Sequence, residues 1–409
     1  MQFKTAVRAR GLDVISVYTI ANPNPDDLSY GTGDDLSLHE YDGAIESIAA
    51  AVTGRFRPRA VIACTEPAVP TADRLAALLG LAGNPVETTA ARRDKWHMRL
   101  LAAERGVPTP TFHLVGSPAE IPAAVARTGY PCIIKPTTGA ASHGVTLLTS
   151  PADSLDALPE RDVFGGPVAQ RLVEEYVHGP EYAVNTFTRD GQHTVIDVWR
   201  KHQPDDRPYD QPYWNACQVP ADDAVTPSLR RFAHQVLDAF DIRHGPCHIE
   251  LKTENGRPRL IEIGARLPGA HIPELWLSEG GFDAFGACVD LLLRRQVPHP
   301  VLRLAGLGGV GDDVLGQCFI GHAGPEAVLH GIDGLDEVAR LPEVVAVHRN
   351  ALVGRPLRTT SDLESVALTV ALRASGPEHF LRLCDLVRAT VVLRTEERIP
   401  AAVPGGGAR

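Results

Sequence analysis

Short apolar runs and amphipathic stretches alternate along this chain, and their periods divide it into elements. Residues 14–20 and 60–64 are mainly apolar runs that read as short buried strands, whereas 41–52 and 71–81 carry helical spacing. Strand, helix, strand, helix over residues 1–90 predicts a small open parallel sheet. Residues 91–105 predict a helix that stops at Gly106-Val107-Pro108. From 111 onward the pattern is α+β. Strands are expected at 111–115, 132–135, 145–148, 168–176, 182–188, 194–200, 247–251 and 259–263, with helices at 118–128, 227–240 and 282–295. Asn, Pro, Asp and Gly at 23–35 and the polar, proline-studded run 202–212 read as loops, and the glycine-rich tail 401–409 as disordered.

These elements group into an N-terminal α/β domain (1–90), a small lobe (91–180), a larger lobe (181–300) and a C-terminal α+β subdomain (301–400). A length of 409 residues with 44% apolar and 22% charged residues is ample for several such cores and argues against general disorder. No run reaches the ~18 apolar residues of a membrane span, and no basic-then-apolar leader opens the sequence, so a cytoplasmic protein is expected. A formal charge of −10 disfavours nucleic acid or an anionic membrane as partner and leaves small molecules. The seven cysteines stand singly, without CxxC spacing, and read as free thiols.

Chemistry collects in four places. Lys135 closes a strand and is followed by Pro136-Thr137-Thr138-Gly139-Ala140-Ala141-Ser142-His143-Gly144, a loop whose amides and hydroxyls suit an anion. The second place is a predicted hairpin carrying Glu250 and Glu262. A two-residue Asn255-Gly256 loop would set Glu250 opposite Ile261, while a longer loop or one bulge sets the two carboxylates opposite each other. The second register also gathers Ile249, Leu251, Ile261 and Ile263 on the other face, and is therefore expected. Facing carboxylates need a cation between them, and Mg²⁺ is the natural one. Third, Arg266 follows at Gly264-Ala265-Arg266-Leu267-Pro268-Gly269, within reach of the same phosphate or of a tetrahedral oxyanion. Fourth, Leu172–Glu181 is a strand ending in a Gly-Pro turn, able to present backbone to an adenine edge.

In this order the pieces resemble the ATP-grasp superfamily, and Glu262-Ile263-Gly264-Ala265-Arg266 is similar to the corresponding stretch of bacterial L-amino acid ligases of the dipeptide and dapdiamide type. More distant members carry Asn where this chain has Gly264. The resemblance implies an α/β and α+β ATP-grasp fold with an N-terminal parallel sheet. It implies ATP and Mg²⁺, as two ions with Mn²⁺ as a substitute. It also implies an ATP-dependent carboxylate–amine ligase working through an acyl phosphate and releasing ADP and phosphate. The rivals are a ligase or carboxylase with a non-amino-acid substrate, or an inactive nucleotide-binding regulator; a homodimer is left open. By the same resemblance Lys95 and Lys135 bind the phosphates, and Thr138, Ser142, His143 and Gly144 form the covering loop. Glu174, Glu175 and Val177 line the adenine site, Glu181 meets the ribose, Glu250 and Glu262 hold the metal, and Arg266 contacts the transferred phosphoryl and the acyl intermediate. Glu66 would receive a substrate ammonium, and Trp214, Gly269 and His271 are candidates for the side-chain pocket. Runs 137–145 and 202–212 would be lids that exclude water.

Overall fold

The computed structural model describes residues 2–20, 31–39, 44–153, 155, 158–203, 214–294 and 313–397. Most of the expected loops at 23–35 and 202–212, and the tail 401–409, lie outside them. The chain divides into two compact units, one of residues 1–201 with 218–313 and one of 202–217 with 314–409.

The first unit opens with α1 (Gln2–Arg8), β1 (Ile15–Tyr18), β2 (Leu36–His39), α2 (Ile45–Thr53) and α3 (Val69–Leu78). β1 and β2 pair in parallel, so a parallel pair forms as expected, but its second strand is 36–39 rather than 60–64. The apolar run 60–64 forms no strand: its backbone joins no ladder among the described residues, and Cys64 is exposed. Five apolar residues are too few for periodicity to tell a paired strand from an extended connection.

Then follow α4 (Lys95–Glu104), β3 (Phe112–Val115), α5 (Ile121–Thr128), β4 (Cys132–Pro136), β5 (Thr146–Leu148) and β6 (Arg171–Glu175). β3, β6, β4 and β5 make an antiparallel sheet in that order, with α5 on it. The apolar alternation of these strands closes a small core around Val115, Ile121, Cys132, Ile134 and Val173.

β7 (Glu181–Arg189), β8 (Gln192–His202), β9 (Asn215–Gln218), α6 (Thr226–Ala239), β10 (His244–Glu254), β11 (Arg257–Gly264), α7 (Ile272–Gly280) and α8 (Ala284–Leu292) come next. Within the first unit, β11, β10, β7 and β8 are neighbours in that order and all antiparallel. The amphipathic α6 lays Leu229, Phe232, Val236 and Leu237 against Val184, Ile249, Leu251 and Ile263. That burial fixes which face of β10 and β11 is left for polar residues. α7 was not foreseen in the sequence, because Pro273 and the glycines around it disguise a short helix that opens with proline in its first turn.

In the second unit, β12 (Val314–Ile320) pairs with β9 and with β16 (Leu368–Ala374), which also pairs with β14 (Val344–Arg349). β13 (Ala327–Asp333) pairs with the short β15 (Pro356–Leu357) and with β17 (Val392–Glu397). An unforeseen helix, Pro377–Thr390, packs Phe380, Leu383, Cys384 and Val387 into this unit's own core.

Candidate active site

The β10–β11 hairpin carries the carboxylates. Its turn residues Asn255 and Gly256 both have positive φ (51° and 74°), the signature of a two-residue turn that matches strand twist. From the turn, Glu254 pairs with Arg257 and so on to Leu251 with Leu260; the register then shifts, and beyond the shift Glu250 faces Glu262 and Ile249 faces Ile263. The bulge leaves Ile261 as the extra residue, and its carbonyl accepts a bond from Arg99 Nη2 at 2.8 Å. Both alternatives considered from the sequence are thus present in one hairpin, the two-residue-turn register at the loop and the facing register at the site.

Two carboxylates directly opposite each other repel unless cations intervene. Here lysines supply them. Lys95 Nζ lies 2.8 Å from Glu262 Oε1, and Lys201 Nζ lies 2.8 Å from Glu250 Oε1 and 2.7 Å from Glu181 Oε1. Burial disfavours the charged form of Glu250, but Lys201 and His248 outweigh it and hold its carboxyl well below the usual range. Lys95 is the first residue of α4, whose N-terminus is capped by the Asp94 side chain accepting from the His97 amide. Its own amide donates to Thr137 O at 2.7 Å and its ammonium to Gly139 O at 3.2 Å. One lysine therefore touches both the carboxylate pair and the glycine-rich loop.

That loop joins β4 to β5. Ala141, Ser142 and Gly144 all have positive φ, and the loop turns on itself through bonds from the His143 amide to Ala140 O at 3.1 Å and from the Val145 amide to Ser142 O at 3.2 Å. Gly144 is required twice over, since its φ is 73° and a Cβ there would stand 2.6 Å from Pro159 Cγ. Thr138 Oγ1 donates to Asp162 at 3.3 Å, and Arg93 donates to Gly139 O at 3.2 Å.

Lys135, the penultimate residue of β4, has its ammonium 2.6 Å from Glu174 Oε2, while Arg99 Nε donates to Glu174 Oε1 at 2.7 Å. Burial pulls the Lys135 ammonium below its ordinary pKa, with Glu174 opposing. Burial also pushes Glu174 up, but Arg99 and Lys135 outweigh it and leave the carboxyl below its ordinary value. Glu174 is thus an inward-facing carboxylate, 2% exposed, that steadies two cations. The next residue, Glu175, points the other way: Arg259 binds both its oxygens at 2.8 and 2.7 Å and the Thr111 amide donates at 3.0 Å. Hydrogen bonding to Arg259 takes its carboxyl down to about 2. Val177 is buried and its carbonyl accepts from Lys252, which also lies 4.3 Å from the Tyr176 ring centroid.

Glu66 starts a 3-10 turn, Glu66–Ala68, and reaches Arg266, with Oε2 2.5 Å from Nε. Its other oxygen, Oε1, is buried without a hydrogen-bond partner, in a residue only 3% exposed. A buried carboxylate oxygen left in that state costs about 1–3 kcal/mol or more, so it invites a donor. Arg266 is oriented further by donating from Nη1 to Leu267 O at 2.8 Å.

Gly269 has open space at its Cβ position, and His271 takes a left-handed conformation as N-cap of α7. Trp214 belongs to the second unit, where the Arg388 guanidinium sits 3.6 Å from its ring centroid. Sequence reasoning missed Arg99, Arg259, Lys201, Lys252 and His248. The signal was there: polar residues at every second position of otherwise apolar strands, as in His248, Glu250 and Lys252, mark one functional face.

Among the described residues no three His, Cys, Asp or Glu side chains are gathered as a closed metal cage. Glu250 and Glu262 are nevertheless hard oxygen donors that need positive charge between them, and Mg²⁺ is typically held by one or two carboxylates together with substrate phosphates. The donor set fits.

Residues 128–274 match the family model described as the ATP-grasp domain. Over 242 residues the chain is 31% identical to dapdiamide A synthase of Enterobacter agglomerans, covering 57% of this chain and 56% of that protein. It is 24% identical to the L-arginine-specific L-amino acid ligase of Bacillus subtilis, over 53% of each. The chain thus spans little more than half the length of these curated relatives. A crystal structure of an L-amino acid ligase from Bacillus licheniformis superposes with a TM-score of 0.73 at 19% identity, covering 97% of this chain and 95% of that one. Among the described residues no helix is long and apolar enough to cross a membrane.

Proposed function

We propose that this chain, which carries an ATP-grasp domain, is an ATP-dependent carboxylate–amine ligase that couples an amino acid or similar carboxylate to an amino acid amine. The observation that carries this reading is Lys95, whose ammonium meets Glu262 of the carboxylate pair and Gly139 of the glycine-rich loop. It ties a phosphate-cradling loop to a divalent-cation site, as phosphoryl transfer requires.

In this reading the loop amides, Lys95 and Lys135 bind the ATP phosphates. Glu250 and Glu262 would hold Mg²⁺, as one ion or two and with Mn²⁺ able to replace it, and the metal when bound neutralises phosphate charge. Glu174 acts from behind: with Arg99 it fixes the Lys135 ammonium. Glu175, Val177 and Glu181 lie along the strand and turn assigned to the nucleoside. An oxygen of the substrate carboxylate bonds to the γ-phosphorus as the bond from that phosphorus to the β-phosphate oxygen breaks, giving an acyl phosphate and ADP. The amine nitrogen then bonds to the acyl carbon, the C–O bond to phosphate breaks, and the nitrogen gives up a proton. Arg266 is placed to steady the tetrahedral oxyanion. The unpartnered Glu66 Oε1 accepts from a substrate ammonium, which favours an α-amino acid.

Incubation with ATP, Mg²⁺ and L-amino acid pairs is expected to release ADP and phosphate with amide formation. The Glu262→Gln variant, folded by circular dichroism, is expected to lose this turnover. AMP and pyrophosphate release, or near-normal turnover of the variant, would overturn the reading.

A further inference from the structure

A row of polar residues crosses the sheet beside the carboxylate pair. The ladders set Asp197 of β8 opposite Asn185 of β7, Asn185 opposite His248 of β10, and His248 opposite Gly264 of β11. Cross-strand partners project from the same face, so Asp197, Asn185 and His248 stand side by side, with the Glu66–Arg266 ion pair packed over Gly264 beyond them.

The hydrogen bonds along this row have a fixed direction. Asp197 Oδ2 takes bonds from Trp199 Nε1 at 2.7 Å, Trp276 Nε1 at 2.8 Å and Gln218 Nε2 at 3.0 Å. Indole N–H groups only donate, which makes Asp197 the acceptor at the end of the row. Asn185 Nδ2 donates to Asp197 Oδ1 at 2.8 Å, so the Asn185 carbonyl oxygen must face the other way. It lies 2.7 Å from His248 Nδ1, and a carbonyl oxygen only accepts. His248 therefore carries its proton on Nδ1.

The ring turns its other nitrogen, Nε2, to the carboxylate pair. That atom lies 3.4 Å from Glu250 Oε1, and a bound cation would replace a proton between them. Two donor atoms each about 2.1 Å from one cation, at 90–110° to each other, lie roughly 3.0–3.4 Å apart. Histidines that bind metals almost always donate their other ring N–H to a carbonyl or carboxylate, and that partner fixes the tautomer. Asn185, anchored on Asp197, is such a partner.

We propose that His248 is a nitrogen ligand of the divalent cation held at Glu250 and Glu262, oriented for that task by Asn185 and Asp197. The proposal rests on the carboxylate pair being the metal site. Glu262, now on Lys95, and Glu250, shared with Lys201, turn toward the ion with His248. A nitrogen donor also tilts the site toward Mn²⁺ and later transition metals and away from Ca²⁺.

The test is pulsed EPR on the full chain loaded with Mn²⁺ alone, in nitrogen-free buffer and without nucleotide. The wild type is expected to show hyperfine coupling to a directly bound ¹⁴N, which becomes ¹⁵N coupling after histidine labelling. His248→Gln is expected to lose the coupling and weaken Mn²⁺ binding at least tenfold. Asn185→Leu, which keeps the ring and frees its orientation, is expected to weaken binding about tenfold or more. A wild type that binds no Mn²⁺ or shows no nitrogen coupling, or a His248→Gln variant that retains it, overturns the assignment. ADP release measured in parallel separates the two readings. Turnover without nitrogen coupling sinks the histidine ligand alone, and coupling without turnover sinks the ligase.

Discussion

Glu66 Oε2 stands 3.1 Å from the point where a Cβ on Gly264 would lie. The strand that carries Glu262 therefore stays bare two residues later, and the Glu66–Arg266 ion pair fills the space. Gly264 has no left-handed backbone demand, so its role is room rather than conformation.

Gly264→Ala is accordingly expected to fold normally while displacing the Glu66 carboxylate by a few tenths of an ångström. The KM of the amino acid that offers its ammonium to Glu66 should rise about tenfold, roughly 1.4 kcal/mol, with the KM for ATP unchanged. Steady-state kinetics with each substrate varied in turn checks this. An unchanged amino acid KM would remove the ammonium from Glu66.

Glu174 neutralises two buried cations at once. Glu174→Gln leaves Arg99 and Lys135 facing each other without a counter-charge, and should cost about 3–5 kcal/mol in urea unfolding. Lys135→Met leaves the Arg99–Glu174 pair intact and should cost clearly less, while still abolishing ADP release. Equal destabilisation by the two variants would contradict the arrangement.

Glu175 supplies a pH dependence with a definite sign. Its carboxyl falls from an ordinary value of 4.5 to about 2 in the folded protein, chiefly through Arg259. The stabilisation is fully present above pH 4.5 and is lost as the pH falls through 2. Arg259→Met should therefore lower the urea midpoint at pH 6 and make little difference near pH 2. The pair is partly solvated, so a modest effect is expected. A gap between variant and wild type that widens toward acid would reverse the assignment.

Much of this site was legible because its pieces are local. The Lys135 strand and its loop are contiguous, and the alternation around Glu250 and Glu262 selects a register without reference to the rest of the chain. What stayed hidden depends on pairings between distant segments. Lys201 is an ordinary strand lysine until the β7–β8 and β7–β10 ladders bring it to Glu181 and Glu250. Arg99 reads as a surface residue of an amphipathic helix until Glu174 and the Ile261 carbonyl enclose it. The run 60–64 failed for the converse reason, since local hydrophobicity cannot say whether a strand finds a neighbour. Helix 377–390 opens at a Gly-Pro step that resembles a turn, and only the core it covers identifies it.

The single extra residue at Ile261 makes the length of this hairpin a matter of parity. Between the turn and Glu262, inserting one more residue would carry that carboxylate to the face now occupied by Ile263, whereas deleting the bulged residue would let the regular ladder run on with Glu262 still opposite Glu250. Shortening this stretch by one residue therefore costs only the bulge, whereas lengthening it by one demands a second irregularity. The bulge allows a tight Asn-Gly turn and a carboxylate pair to coexist on strands that could not otherwise satisfy both.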